Sequence, residues 1–189
     1  DITNKKEELV HFVGSKYVKS NPVGIYDKVV EKLKNGNSVL FIGLPCQVAA
    51  IKNYTVAMPE NVRENLCTVD LICHGSPSPK ILKLALYEKG VDILQLREIR
   101  FRNKINFGLS SRDEDGEYKT IVPVGVQDMY THAFLTSLDY TENCYSCRYA
   151  TWGRVSDVTL GDSWGSNQSD REQEKGISLV LCQTFKGVT

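Results

Sequence analysis

The chain has 189 residues, of which 41% are hydrophobic and 24% charged, enough for one domain with a sizeable core. Its 23 Lys and Arg cancel its 23 Asp and Glu, which removes the basic footprint of a nucleic-acid binder, and no apolar run is long enough to form a membrane span. Six cysteines are too few for a disulfide-dense secreted scaffold of this length; they favour metal or redox use in a cytoplasmic setting, and the polar opening Asp1 to Glu8 has no secretory-signal pattern.

In chain order, the apolar run Leu9 to Val13 predicts a strand or extended segment, and Asn21-Pro22 is a break. Ile25, Val29, Val30 and Leu33 fall at helical spacing, closed by Asn35-Gly36-Asn37. Ser38 to Gly43 is a continuous apolar run, the pattern of a strand covered on both faces. Pro45 then suits the first turn of a helix that continues to about Tyr54. Ala57 to Asn65 reads as a polar linker, and Leu66 to Ile72 as a second buried strand. Ser76-Pro77-Ser78-Pro79 supplies a cap for a helix over Lys80 to Lys89. Strand, helix, strand, helix in this order predicts a parallel α/β core.

The middle of the chain changes character. Ile93 to Phe101 predicts a strand. Leu109 to Arg112 and Glu117 to Val122 predict a hairpin around an Asp-Gly turn, making a small antiparallel lobe over about 93–125. A helix is expected from Gln127 to about Leu138, a strand over Val155 to Leu160, and a last strand over Ile177 to Cys182. The fold class is therefore α/β: a mixed, largely parallel sheet flanked by helices, with an antiparallel hairpin lobe, in a single domain over 1–189.

The cysteines carry the chemistry. Cys144 and Cys147 form a Cys-x-x-Cys, a spacing that ligates one metal centre or closes a small disulfide loop. Cys46 and Cys73 each follow an apolar strand and are flanked by Gly and Pro, at the strand edge where ligands collect in open α/β sheets. Cys46 also sits at a helix start, where backbone dipoles favour a thiolate. Four such thiolates suit either a 4Fe–4S cluster or a structural zinc ion. Cys67 and Cys182 lie within strands and read as small buried hydrophobes. His74 is a donor beside the thiols or a loop residue, His11 and His132 are ordinary core or surface positions, and Trp164 is core. Asp162 would hold a loop by accepting backbone N–H groups. Lys16, Arg100, Arg102 and Lys104 are by themselves solvated charges.

With these residues in hand, the sequence resembles the coenzyme F-420 hydrogenase/dehydrogenase beta-subunit family. The resemblance runs through 14–20 (Gly-Ser-Lys-Tyr-Val-Lys-Ser), 39–49, 69–79 (Val-Asp-Leu-Ile-Cys-His-Gly-Ser-Pro-Ser-Pro), 101–104, 144–150 (Cys-Tyr-Ser-Cys-Arg-Tyr-Ala), 154–165 and 176–180. It implies a flavin- and iron–sulfur-containing electron-transfer oxidoreductase subunit. FAD and a 4Fe–4S cluster would pass electrons to or from a hydride-carrying coenzyme such as F-420. The cluster would be held by Cys46, Cys73, Cys144 and Cys147. Lys16, Arg102 and Lys104 would hold flavin phosphates or an anionic substrate, with His74 also at the cofactor. The resemblance also implies the C-terminal domain of a longer protein, with a ferredoxin-like domain or a partner electron-transfer subunit supplying the other end of the path. Two rival expectations stand beside it. One is a non-catalytic zinc–thiolate docking module, since relatives sit beside genes for surface-polysaccharide synthesis. The other is a cofactor-free fragment with reduced thiols.

Overall fold

The structure is a computed structural model that describes residues 1–189 apart from 104, 105, 113–115, 127 and 164. In chain order the helices and strands are α1 (Ile25–Lys34), β1 (Val39–Gly43), α2 (Pro45–Thr55), α3 (Glu60–Arg63), β2 (Leu66–Leu71), α4 (Pro79–Tyr87), β3 (Glu98–Asn103), β4 (Asn106–Arg112), β5 (Tyr118–Val122), α5 (Met129–Leu135), α6 (Glu142–Tyr145), β6 (Val158–Asp162), α7 (Asp170–Gln173), β7 (Ser178–Cys182) and α8 (Phe185–Val188). They fall into two compact units, Asp1–Ser20 with His74–Ser146, and Asn21–Cys73 with Cys147–Thr189.

The second unit holds a four-stranded sheet in the order β1-β2-β6-β7. The pairs β1–β2 and β2–β6 are parallel, with Gly43 opposite Asp70 and Val69 opposite Val158; β7 closes the edge antiparallel to β6. The fold is thus α/β with a mixed, mostly parallel sheet. Its core is built from Val29 and Leu33 of α1, Phe41 of β1, Val48 and Ile51 of α2, and Leu66 of β2. The period-two alternation of β1 turns Phe41 inward and leaves Leu40 and Ile42 59% and 60% exposed. The expectation that this strand is covered on both faces is corrected: α1 and α2 lie over one face only. Cys182 is corrected too. It is exposed rather than buried, because β7 is the sheet's edge strand.

The strand expected at Val155 to Leu160 begins three residues later, at Val158. Ser156 and Asp157 are buried but serve another purpose. The Asp157 carboxylate accepts the Thr68 N–H at 2.8 Å and the Thr68 hydroxyl at 2.6 Å on one oxygen, and the Thr184 hydroxyl at 2.8 Å on the other. Its backbone N–H donates to the Thr68 carbonyl at 3.0 Å, and its carbonyl accepts from Gln183 at 2.9 Å. One side chain thereby joins β2, the approach to β6 and the segment after β7. Burial works to raise this carboxyl, but the hydrogen bonds from Thr68 and Thr184, with the Lys52 ammonium at 3.9 Å, outweigh it and hold the group below the ordinary aspartate value.

The first unit holds the antiparallel sheet β3-β4-β5. Its three strands answer to the strand expected at Ile93 to Phe101 and the two arms of the expected hairpin; the Asp-Gly turn falls at residues 113–115, outside the described residues, and Gly116. The core here gathers Leu82 and Leu86 of α4, Phe101 of β3, Leu109 of β4, Val122 of β5 and Tyr130 of α5, with Tyr17 and Val18 packed against them. The start of the chain departs from expectation, since Lys6–Phe12 form a 3-10 helix with no buried residue rather than a strand. The linker before β2 contains the short α3. Residues Ile93–Gln95 make a 3-10 turn, so β3 starts at Glu98. Capping explains the helix starts. The Ser78 hydroxyl accepts from the Lys80 N–H at 3.3 Å, and Asp128 accepts from Tyr130 and Thr131 at 3.0 and 3.2 Å.

These contacts can be tested by substitution. Asp157→Ala leaves three donors without their acceptor and is expected to lower stability by roughly 3 kcal/mol, measured by denaturant unfolding. Because the folded-state acidity of Asp157 is depressed, its contribution is full above about pH 4, the ordinary aspartate value, and is lost as the pH falls through the lower folded value. Asp157→Asn should therefore flatten the acid limb of the stability profile below about pH 4, and an unchanged limb would place the acid sensitivity elsewhere. At Gly75 the backbone has φ 146°, and an added Cβ would lie 2.1 Å from the Tyr140 ring. Gly75→Ala should cost about 3 kcal/mol in thermal or denaturant unfolding; a loss under about 0.5 kcal/mol, typical of a surface substitution, would show that the ring can move away.

Candidate cysteine site

In a parallel pair both strands leave the sheet at the same edge. The β1–β2 pairing therefore delivers the segments after Gly43 and after Leu71 to one edge of the second unit, and with them Cys46 and Cys73. Pro45 occupies the first turn of α2, its missing N–H harmless there, and Cys46 follows it. The turn is held by the Leu44 N–H donating to the Gln47 side-chain oxygen at 2.9 Å. The Tyr26 hydroxyl is pushed above the ordinary phenol value, by burial first and by the neighbouring Cys46 second. Past the end of β2, Ile72 donates its N–H to the Leu160 carbonyl at 2.8 Å, and Cys73 comes next. Cys147 opens the second stretch of this unit. All three thiols are half-buried and none of the six cysteines is in a disulfide.

Cys144 belongs to the first unit, on the short α6. Its sulfur lies 3.3 Å from the Thr141 hydroxyl, which accepts from the Lys19 ammonium at 3.1 Å. Lys19 also reaches the Asn143 side chain at 2.9 Å. Since the Thr141 oxygen already accepts from Lys19, its own proton is available for the Cys144 sulfur. Sequence reasoning singles out neither Lys19 nor Thr141, though Lys19 lies within the 14–20 run; the link spans 122 residues and leaves no local pattern.

The other sequence candidates are placed as follows. His74 is exposed, its Nδ1 hydrogen-bonded to the Tyr140 hydroxyl and its ring 4.8 Å from that of Phe134. Lys16 is exposed and donates to the Val13 and Gly14 carbonyls, both at 3.1 Å. Arg102 is half-buried, with its guanidinium 5.1 Å from the centre of the Phe107 ring. Lys104 and Trp164 lie outside the described residues. Asp162 ends β6 and is exposed. An open cleft of about 400 Å³ in the second unit is lined by Lys52, Glu60, Arg63, Asp157 and Lys186 among others. It lies by the start of β2, away from the cysteine edge, and its charges balance.

Among the described residues no three His, Cys, Asp or Glu side chains are gathered into a metal-binding group. The donor set nonetheless has the chemistry a cluster or zinc ion needs. The four candidate thiols are half-buried, three of them in one unit, and the fourth has the Thr141 hydroxyl beside it. No described helix is long and apolar enough to cross a membrane.

No curated protein matches the sequence. Among solved structures, the chain is similar to one from the F420-reducing [NiFe] hydrogenase complex of Methanosarcina barkeri, at 18% identity and a TM-score of 0.55. The similarity covers 96% of this chain and 56% of that one, and establishes the fold. The family model that describes the C terminus of the coenzyme F420 hydrogenase/dehydrogenase beta subunit matches residues 36–189. That match takes in β1 through α8 and with them all four candidate thiols: the chain belongs to the coenzyme F420 hydrogenase/dehydrogenase beta-subunit family, in its C-terminal region.

Proposed function

We propose that the protein acts, when complete, as an iron–sulfur and flavin electron-transfer subunit of an oxidoreductase, with Cys46, Cys73, Cys144 and Cys147 as the ligands of a 4Fe–4S cluster. The observation that carries this reading is the delivery of Cys46 and Cys73 to one edge of a parallel sheet, in a chain whose Cys-x-x-Cys supplies the remaining two thiols. Thiolates are the ligands that such clusters use, and hydrogen bonds to the sulfurs tune their potential.

A bound cluster and FAD would supply one-electron exchange and hydride transfer respectively. The chain's own residues do the rest. The α2 N-terminus favours negative charge at Cys46. Thr141, with Lys19 behind it, offers a hydroxyl proton to the Cys144 sulfur. Lys16, Arg102 and Lys104 are the candidate cations for the FAD pyrophosphate, and His74 a donor at the flavin. The hydride partner belongs to the class of deazaflavin or nicotinamide coenzymes. Other subunits complete the path, as in the hydrogenase complex to which the similar chain belongs, and the setting is the cytoplasm.

Anaerobically isolated full-length protein is expected to be brown, with iron and acid-labile sulfide in equal amounts. Cys147→Ser should abolish both. A colourless protein carrying stoichiometric zinc would overturn the cluster in favour of a docking module. Arg102→Ala should weaken FAD binding roughly tenfold, the loss of about 1.4 kcal/mol of a charge-assisted contact, as read from flavin fluorescence on titration. An unchanged affinity removes Arg102 from the flavin site.

A further inference from the structure

We propose that Arg154 is a positioning residue for the cysteine site: through a buried pair with Asp70 it ties the strand end that delivers Cys73 to the loop that delivers Cys147. The inference rests on the reading of these thiols as ligands and adds the device that keeps two of them in register. All of its parts lie within the second unit.

Residues 146–157 contain no helix or strand. Nothing regular fixes the path of the chain from Cys147 to β6, and this is the stretch that Arg154 grips. Its Nη2 donates to the Asp70 Oδ1 at 3.2 Å and to the Leu71 carbonyl at 2.9 Å. Its Nη1 donates to the Tyr149 carbonyl at 3.3 Å. Leu71 lies two residues before Cys73, and Tyr149 two residues after Cys147. The Cys147 carbonyl also accepts from the Ala150 N–H at 3.3 Å, closing a turn on that side. One planar guanidinium therefore holds the backbone beside both cysteines.

The energetics point to position rather than to stability. The Asp70 side chain is 0% exposed and that of Arg154 only 9%. Among the described residues, Asp70 Oδ2 and Arg154 Nε find no hydrogen-bond partner. A buried ion pair with groups left unsatisfied recovers little of its desolvation cost, and an apolar pair of the same shape would be about as stable. What an apolar pair lacks is direction. The guanidinium fork bonds two carbonyls and a carboxylate at fixed angles, and a lysine ammonium does not reproduce that.

The test uses the full-length apoprotein, reduced, in three forms: wild type, Arg154→Lys, and Asp70→Asn combined with Arg154→Gln. The double variant removes both charges together, so no lone charge is left buried. Alkylation by iodoacetamide is followed thiol by thiol by peptide mass spectrometry, with Cys46 as the reference in the same unit. Cys73 and Cys147 should react roughly tenfold faster in both variants, as expected for a local opening, while Cys46 changes less than about twofold and the unfolding midpoint holds. Unchanged rates at Cys73 and Cys147 in a folded variant would overturn the proposal, as would an equal rise at all three thiols. Wild-type behaviour of Arg154→Lys would assign the effect to charge alone and overturn the fork. If the double variant does not fold, the lysine variant carries the same comparison. On anaerobic reconstitution with ferrous iron and sulfide, the variants should retain less than half of the iron that wild type binds. Failure of the wild type itself to bind iron would sink the ligand reading, and the thiol rates would still decide the clamp.

Discussion

The parallel pairing of β1 with β2 is the constraint on which the rest of the candidate site depends. A hairpin connection would have sent the two strand ends to opposite edges. The crossover through α2 and α3 instead sends both to one edge. Gly43 faces Asp70 across the ladder, and Cys46 and Cys73 follow at matched sequence positions, three residues beyond each. The same edge collects ligands in open α/β sheets because strand ends and helix starts leave backbone donors and dipoles unpaired there.

The parallel β2–β6 pairing adds a second consequence. Arg154 links Tyr149 to the Leu71 end of β2, and β6 begins at Val158 opposite Val69, so the chain between Tyr149 and β6 runs back along the sheet. Two buried carboxylates manage that return. Asp70, near the cysteine edge, holds Arg154, while Asp157, beside Thr68, fixes the point where the strand starts. The two differ in kind. Asp157 has its oxygens filled by three hydroxyl and amide donors and acts as a structural bolt. Asp70 has one oxygen with no partner among the described residues and faces an arginine whose other donors go to backbone beside the cysteines. Well-satisfied buried polar groups stabilise, whereas a buried pair with an unfilled oxygen recovers little of its desolvation cost.

Much of this is legible in the residues. Leu44-Pro45-Cys46-Gln47 reads as a helix start because proline fits only there, and the glutamine side chain does close the turn. The Ser-Pro repeat before α4 contains its cap, and the apolar runs mark β1 and β2 to within a residue. What fails shares one cause, contact at long range. Val155, Ser156 and Asp157 continue the pattern of a strand, and only the capture of Asp157 by Thr68, 89 residues away, shows why β6 starts later. Leu40 and Ile42 sit in a run as apolar as any buried strand, and the number of covered faces is decided by where α1 and α2 lie. Leu9 to Val13 find no such partner among the described residues, and Lys6–Phe12 form a short 3-10 helix with no buried residue. Gly75 looks like a turn glycine; the reason for it is the Tyr140 ring pressed against its backbone.

The central claim is that four thiolates of this chain enclose an iron–sulfur cluster. Iron K-edge X-ray absorption on the anaerobically isolated full-length protein tests it most directly. The account predicts an inner shell of sulfur alone with iron–iron scattering behind it. An inner shell of nitrogen or oxygen, or an absorption edge from zinc in place of iron, would contradict it.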